Sequence, residues 1–133
     1  MYIFEALSYF DNLFSLGVLF CLLMGVTIGL VIGAIPGLSA PMAIALLIPV
    51  SFNFPPTEAL ILMVSCYAAG MYGGSFSAIL IRAPGTSASA ASAIEGFELT
   101  KKGKAIQAIR ISTFASVLGG LISGLVLLLL APP

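Results

Sequence analysis

Three long stretches of the chain contain no charged residue and are rich in leucine, isoleucine, valine and alanine: 13–35, 59–81 and 111–131. A helix that crosses the roughly 30 Å hydrocarbon core of a bilayer needs about 20 mainly apolar residues. Charged residues make up only 8% of the chain, and the mean hydropathy is +1.19. A soluble domain carries about 25% charged residues. The chain is therefore predicted to be an all-α, polytopic integral membrane protein.

A fourth apolar stretch, 39–50, is too short to cross the bilayer comfortably and is predicted to be a half-helix or re-entrant segment. It follows the sequence IPGLSAP over 35–41, whose prolines and glycine disfavour a continuous helix. No charged residue lies between Asp11 and Glu58, so this break is expected inside the membrane. Irregular backbone is tolerated there only inside protein or along a water-filled cavity. We therefore expect helices that are broken or re-entrant at Pro-Gly motifs.

The basic residues predict the orientation of the chain. All five lie in the segment 82–110, which the positive-inside rule places in the cytoplasm as a loop. The span 59–81 then starts outside, and the span 111–131 runs outward. The side on which the N-terminus lies depends on whether 39–50 crosses the membrane, and the sequence leaves this open.

Composition also excludes several classes of function. The formal net charge is zero, with no basic excess that would suggest nucleic-acid binding. The chain has no histidine to activate a serine, and Asp11 is its only aspartate, so neither a serine-type nor an aspartyl-type intramembrane protease fits. Cys21 and Cys66 have no metal-type spacing and are interpreted as packing residues. We expect no enzyme activity and no cofactor beyond a coupling ion.

Glycines at a spacing of four mark faces on which helices approach closely in lipid. Gly25, Gly29 and Gly33 form one such row, and Gly120 and Gly124 belong to another in the last span. These residues are predicted to pack helices together. An alternative is that a moving element slides along the smooth faces that they create.

The pattern P-G-x-S-A occurs twice, and each copy follows a long apolar segment. Each copy is predicted to end one helix and to start another with a serine or threonine N-cap. Helix N-terminal amides carry partial positive charge and attract anions, so the copies are candidate substrate sites. The alternative is a plain turn between spans, which is strongest for the second copy beside Arg82. The candidate residues are Pro36, Gly37, Ser39, Pro84, Gly85 and Thr86.

The sequence GMYGGSFS over 70–77 concentrates glycines and hydroxyl groups near the inner end of a span. Its candidate substrate- or ion-binding residues are Tyr72, Gly73, Gly74, Ser75 and Ser77. Their hydroxyls and carbonyls are suited to coordinating Na⁺, with a possible site near Ser75, or to binding a carboxylate. The alternative is that the hydroxyls bond to the preceding turn of their own helix. Arg82 either neutralises substrate charge or extends to the membrane interface.

The runs GAIPGLSAPMAIALLIPVSFNFPPTEAL and GMYGGSFSAILIRAPGTSASAASAIEGFELTKKGKA resemble the large membrane subunit of the tripartite tricarboxylate transporters, the TctA family. The resemblance covers nearly the whole chain from about Gly25 onward and corresponds to the N-terminal part of longer family members. The chain departs from the family pattern at Arg82, where an Asn-like residue is expected, and at Glu95, where aspartate is favoured. The first departure bears on anion preference, and the second is conservative.

The resemblance implies a multi-pass secondary transporter of the bacterial inner membrane. Its partners would be a small membrane subunit and a periplasmic solute-binding protein that captures citrate-like carboxylates. An ion gradient of Na⁺ or H⁺ would drive uptake. The alternative is a structural or assembly membrane protein with no transport pathway of its own, in which the glycine rows serve only to bring helices together.

Overall fold

The computed structural model describes residues 15–130. In this range the chain forms five α-helices and one short 3-10 helix, and none of these residues lies in a strand. The predicted all-α fold class is confirmed. In chain order, the helices are α1 Leu16–Ala34, α2 Ala40–Ser51, α3 Pro56–Ile81, the 3-10 helix Ser87–Ser89, α4 Ala90–Lys101 and α5 Ala105–Leu130.

Three of these helices, α1, α3 and α5, are long and apolar enough to cross a membrane. The chain is thus a multi-pass membrane protein. By contrast, α2 has 12 residues and a length of about 18 Å, which falls short of the hydrocarbon thickness. The helix α5 begins at Ala105, ahead of the predicted span 111–131. Residues 13, 14 and 131, which belong to the ends of the predicted spans, lie outside the described residues.

Helices α1 and α3 pack side by side and run in the same direction. Near their beginnings, the Glu58 carboxylate lies against Gly17. Near the end of α1, Gly33 lies against the backbone of Gly70. The beginnings of α1 and α3 are therefore at the same end of the structure.

The glycine row of α1 forms the contact surface with α3. A Cβ atom added at Gly25 would lie 2.5 Å from the carbonyl oxygen of Leu62, and one added at Gly29 would lie 3.0 Å from the Cβ of Ala69. Real Cβ atoms do not approach other atoms so closely, so only glycine fits at these positions. The two backbones pack at a distance that larger residues would prevent.

Helix α2 returns along α3 in the opposite direction. Its first residue, Ala40, packs against Gly70, and Leu47 joins a buried apolar cluster with Leu62 and Cys66 of α3. Cys21 of α1 belongs to the same cluster, and both cysteines are free thiols with packing roles. The pair α1–α2 is therefore a hairpin whose two open ends lie beside the beginning of α3.

The segment 82–110, predicted to be a cytoplasmic loop, is mostly helical. It contains α4 and the first turns of α5. The reason is that α4 has a packing face: Gly96 contacts Ile79 of α3, and the Thr100 hydroxyl donates a hydrogen bond of 2.8 Å to the Ile79 carbonyl. Glycine at 103, with φ +73°, then ends α4 and allows the turn into α5.

Helix α5 runs antiparallel to α3. The Thr113 hydroxyl is hydrogen-bonded to the Tyr72 hydroxyl, while the start of α5 lies near the end of α3. Beyond this contact α5 is exposed along its length. Gly120 and Gly124 have no neighbour within 4 Å among the described residues, so the partner of this predicted packing face is not in this part of the chain.

Candidate functional site

The first Pro-Gly motif breaks the chain between α1 and α2. Helix α1 ends at Ala34, and Ile35 already has an extended backbone with φ −82° and ψ 118°. Gly37 has φ +92°, a conformation that side chains other than glycine rarely adopt. Ser39 returns the backbone to an extended conformation, and α2 begins at the next residue. Pro36 and Gly37 are both exposed.

The start of α2 has fewer free amide donors than the sequence suggests. Ser39 occupies the N-cap position, but its side chain makes no capping hydrogen bond. Pro41 has no N–H group. The N–H groups of Met42 and Ala43 donate to the Ser39 carbonyl at 3.0 and 3.2 Å. An anion at this helix end would therefore have to be bound by the amides that precede Pro41.

The second Pro-Gly motif follows the end of α3. Arg82 caps the helix in a left-handed conformation with φ 57°, and its side chain is exposed. Thr86 then caps the 3-10 helix, where its N–H donates to the Ser89 hydroxyl at 3.2 Å and the Ser89 hydroxyl donates to the Thr86 carbonyl at 2.8 Å. Ser89 is 2% exposed, so the hydrogen bonds that close this turn are made by a buried hydroxyl.

The last turn of α1, just before the first break, meets the second break on one face of α3. A Cβ atom added at Gly85 would lie 2.7 Å from the carbonyl oxygen of Gly33 and 3.1 Å from the Cα of Gly74. Gly85 therefore lies between the last turn of α1 and the backbone of α3. We call this meeting point the glycine junction, defined by Gly33, Gly73, Gly74, Gly85 and Thr86.

Close backbone contacts extend through the whole glycine junction. A Cβ atom added at Gly73 would lie 2.8 Å from the Leu30 carbonyl oxygen and 3.1 Å from the Ala34 nitrogen. One added at Gly74 would lie 3.1 Å from the Thr86 hydroxyl oxygen. Backbone groups of three chain segments thus come together with no intervening large side chain.

The glycine junction lies within α3 and not at its end. Gly74 is about 27 Å from the start of this 26-residue helix and about 10 Å from its last residue. The α1–α2 hairpin reaches this level from the side where α3 begins, whereas the segment 82–86 folds back from the side where α3 ends. Two irregular segments thus approach the same depth of the helix from opposite ends.

The predicted hydroxyl residues divide between two faces of α3. Ser77 is buried at the glycine junction, and its hydroxyl donates to the Gly74 carbonyl at 3.1 Å. This bond to the preceding turn is the alternative that the sequence left open for these hydroxyls. Tyr72 and Ser75 lie on the other face, towards α5. Their role as ligands stays a prediction.

Tyr72 and Ser75 line a groove between α3, α4 and α5. Its volume is about 1150 Å³, and Glu95, Ser112 and Ser116 also line it. Tyr72 is held in place by its bond to Thr113 and by edge-on packing against Phe76, with ring centroids 5.1 Å apart. The groove therefore presents hydroxyls and one carboxylate along an otherwise apolar surface. The structure does not bring this groove and the glycine junction together.

Sequence reasoning missed the contribution of Ser89 and the place of Gly33 in the junction. The signal for Ser89 was its position three residues after Thr86, which is the spacing of a capping box. Gly33 was predicted to lie on a packing face, and in the structure its carbonyl also faces Gly85. Only the folded chain shows this second contact, because it joins residues that are remote in sequence.

Residues 19–133 match the family described as "Tripartite tricarboxylate transporter TctA family". The match includes both Pro-Gly motifs, all of α3 and both faces just described. The chain belongs to the TctA family. A relative from Agrobacterium vitis, named "Uncharacterized 52.8 kDa protein in TAR-I ttuC' 3'region", is 40% identical over 110 residues.

The aligned part makes up 83% of this TctA-family chain and 22% of that relative. The chain thus spans less than a quarter of the length of the relative that it matches. No solved structure matches the chain. The family assignment rests on sequence, and the placement of the two breaks rests on the structure.

Proposed function

We propose that this chain forms part of the permease subunit of a binding-protein-dependent secondary transporter in the bacterial inner membrane. The substrates would be citrate-like tricarboxylates or other carboxylates. The observation that carries this proposal is the meeting of the last turn of α1 and the second Pro-Gly break at Gly73 and Gly74, inside a helix long enough to span the membrane. Discontinuous helices that meet inside the bilayer are the usual binding sites of secondary transporters.

Physical reasoning supports a role for the glycine junction in substrate passage. Gly33, Gly73 and Gly74 are buried in this packing, so a substrate would contact the glycine junction at Gly85, which is partly exposed. Thr86 adds a partly exposed hydroxyl at the same place. Hydroxyl and N–H groups donate hydrogen bonds to a carboxylate without a fixed counter-charge, and such binding is weak enough for release on the other side of the membrane.

The coupling ion in this proposal is Na⁺, with H⁺ as the alternative. The hydroxyls of Tyr72 and Ser75 and the carboxylate of Glu95 line one groove. Oxygen ligands of this type suit a hard cation. We propose Na⁺ binding near Ser75, with the small membrane subunit and the periplasmic solute-binding protein as partners of the whole transporter.

One observation favours the alternative of an assembly role. The face of α5 that carries Gly119, Gly120 and Gly124 has no neighbour within 4 Å in residues 15–130. Such a face is suited to packing against another membrane helix. Citrate uptake by the whole transporter with its partners, measured with and without Na⁺, distinguishes the permease role from the assembly role. If the chain serves only assembly, substitutions in the glycine junction should not change the Na⁺-dependent uptake.

Replacing Gly37 with leucine is expected to reduce uptake by about tenfold or more while membrane insertion stays intact. No atom lies within 4 Å of a Cβ at this position, so the side chain has room. The penalty comes from the backbone, because φ +92° costs a residue with a side chain roughly 1–2 kcal/mol. The measurement is the initial rate of citrate uptake, normalised to the amount of inserted protein.

Asparagine at the same position is the matched control. It tolerates left-handed backbone better than leucine does, so Gly37→Asn should retain much more uptake than Gly37→Leu. Equal uptake by the wild type and the leucine variant would show that the break is not needed in this conformation.

Replacing Ser75 with alanine is expected to raise the Na⁺ concentration needed for half-maximal uptake by about two- to tenfold. Loss of one polar contact of this kind costs about 0.5–1.5 kcal/mol. Thr27→Ala is the matched control, because the Thr27 hydroxyl donates to the Leu23 carbonyl of its own helix at 2.8 Å. If both variants keep the wild-type Na⁺ dependence, Ser75 is not an ion ligand.

A further inference from the structure

The fold collects basic residues at one end of the structure. The Thr100 hydroxyl donates to the Ile79 carbonyl, so the end of α4 lies beside the last turn of α3. Lys101 and Lys102 directly follow Thr100, and Arg82 directly follows α3. Side chains from two separate helix ends therefore share one region.

A hydrogen-bonded turn holds the lysines after α4 in place. The N–H of Gly103 donates to the Thr100 carbonyl, and the N–H of Lys104 donates to the Leu99 carbonyl, both at 2.9 Å. Gly103, with φ +73°, makes this geometry possible. Lys102 and Lys104 thus extend from a defined turn and not from a mobile loop.

The charge of this region is one-sided. The segment 82–110 contains five basic and two acidic residues, an excess of three positive charges. Glu98 is paired with Lys101 at 2.8 Å, and this hydrogen bond holds the pKa of the Glu98 carboxyl below its ordinary value. The other charged residues of the chain, Glu5, Asp11 and Glu58, are all acidic. All of the positive charge of the chain is therefore in this segment.

Exposed apolar side chains lie among these basic residues. Ile81, next to Arg82, and Ile106, two residues after Lys104, are 60% and 68% exposed. Large apolar side chains beside flexible basic ones are typical of a surface at the boundary between acyl chains and headgroups. On a surface of that kind, apolar side chains enter the acyl layer and basic groups reach the phosphate layer.

We propose that this surface binds the headgroups of anionic phospholipids in the inner leaflet. We call it the basic surface and define it by Arg82, Lys101, Lys102, Lys104 and Arg110. This inference does not depend on the proposed transport function. Orientation by the positive-inside rule requires only that positive charge stays on one side. Binding requires in addition that the charges are exposed and lie near the ends of membrane-spanning helices. All five residues are exposed, Arg82 follows the end of α3, and Lys104 and Arg110 lie at the beginning of α5.

To test this, the purified full chain is incubated with equal amounts of phosphatidylglycerol and phosphatidylcholine. Native mass spectrometry then measures how much of each lipid the protein retains. The wild type should retain phosphatidylglycerol preferentially, and high salt should weaken this preference. The triple variant Lys102→Gln, Lys104→Gln and Arg110→Gln keeps the Glu98–Lys101 pair. In this variant the ratio of retained phosphatidylglycerol to phosphatidylcholine should fall by at least about tenfold, because each basic residue near an anionic membrane raises the affinity roughly fivefold.

The charge-preserving variant Lys102→Arg, Lys104→Arg and Arg110→Lys is the matched control and should keep the preference. Circular dichroism checks that all variants retain their helices. An unchanged preference in the triple glutamine variant, or equal retention of the two lipids by the wild type at low salt, overturns the proposal. Displacement of the bound lipid by inorganic phosphate at a similar concentration also overturns it, because the site would then recognise free phosphate and not a membrane headgroup.

Discussion

Replacing Gly33 with leucine is expected to destabilise the packing of α1 on α3 by about 3 kcal/mol, at the upper end of the usual cost of overpacking. A Cβ atom at this position would overlap the carbonyl oxygen of Gly70 and would lie 2.8 Å from both its Cα and its carbonyl carbon. These are backbone atoms, which cannot rotate away as a side chain does. The two helices would have to separate, and in lipid such close packing is a main source of helix association.

The measurement is equilibrium unfolding of the full chain in mixed micelles, followed by circular dichroism. Gly120→Leu is the matched control, because it makes the same change on a membrane helix at a glycine with no neighbour within 4 Å in the described part of the chain. The control should change the free energy of unfolding by about 0.5 kcal/mol or less. If the two variants have equal stability, α1 and α3 do not pack through Gly33.

The contrast between these two glycines shows what a spacing of four can predict. Gly25, Gly29 and Gly33 lie against α3, whereas a Cβ atom added at Gly120 or Gly124 would have no described atom within 4 Å. The spacing indicates that a helix face allows close approach, because the absence of side chains is a local property. It does not indicate which helix makes that approach. The choice of partner depends on the path of the chain between the helices.

The division of residues 70–77 between two faces of α3 could have been predicted from the sequence. Successive residues of an α-helix are about 100° apart, so Tyr72 and Ser75 point to one side, while Gly73 and Ser77 point to another. Grouping these residues by adjacency alone joined them into one predicted site. In the structure the first pair lies towards α5 and the second towards α1 and the turn at Thr86.

The two helix breaks could be predicted, but their meeting could not. Proline and glycine at 36–37 and 84–85 disfavour a helix through local effects on the backbone, and the structure has no helix at either place. The end of α1 contacts the second break because the packing of α1 on α3 places Ala34 against Gly73 and Gly33 against Gly85. That packing joins residues remote in sequence, and no single segment encodes it.

Replacing Gly85 with valine is expected to reduce citrate uptake by the whole transporter by more than tenfold while the protein still inserts. A Cβ atom at Gly85 would lie 2.7 Å from the Gly33 carbonyl oxygen and 3.1 Å from the Cα of Gly74, so the added side chain would push the two breaks apart. Gly85 is not among the glycines with positive φ, so steric overlap and not backbone strain causes the loss. The measurement is the uptake rate per inserted protein.

Substitutions at Gly85 and Gly37 can be compared directly, because steric overlap causes the loss at Gly85 and backbone strain causes it at Gly37. Asparagine should restore much of the uptake at Gly37, where the penalty is conformational, but not at Gly85, where any Cβ atom overlaps the backbone. Ala90→Val changes an exposed residue nearby that does not line the groove, and it should leave uptake close to that of the wild type. Normal uptake by Gly85→Val would show that the contact at Gly85 is not needed for transport. Loss of uptake in Gly85→Asn, together with retained uptake in Gly37→Asn, would show that transport requires the close packing at the glycine junction.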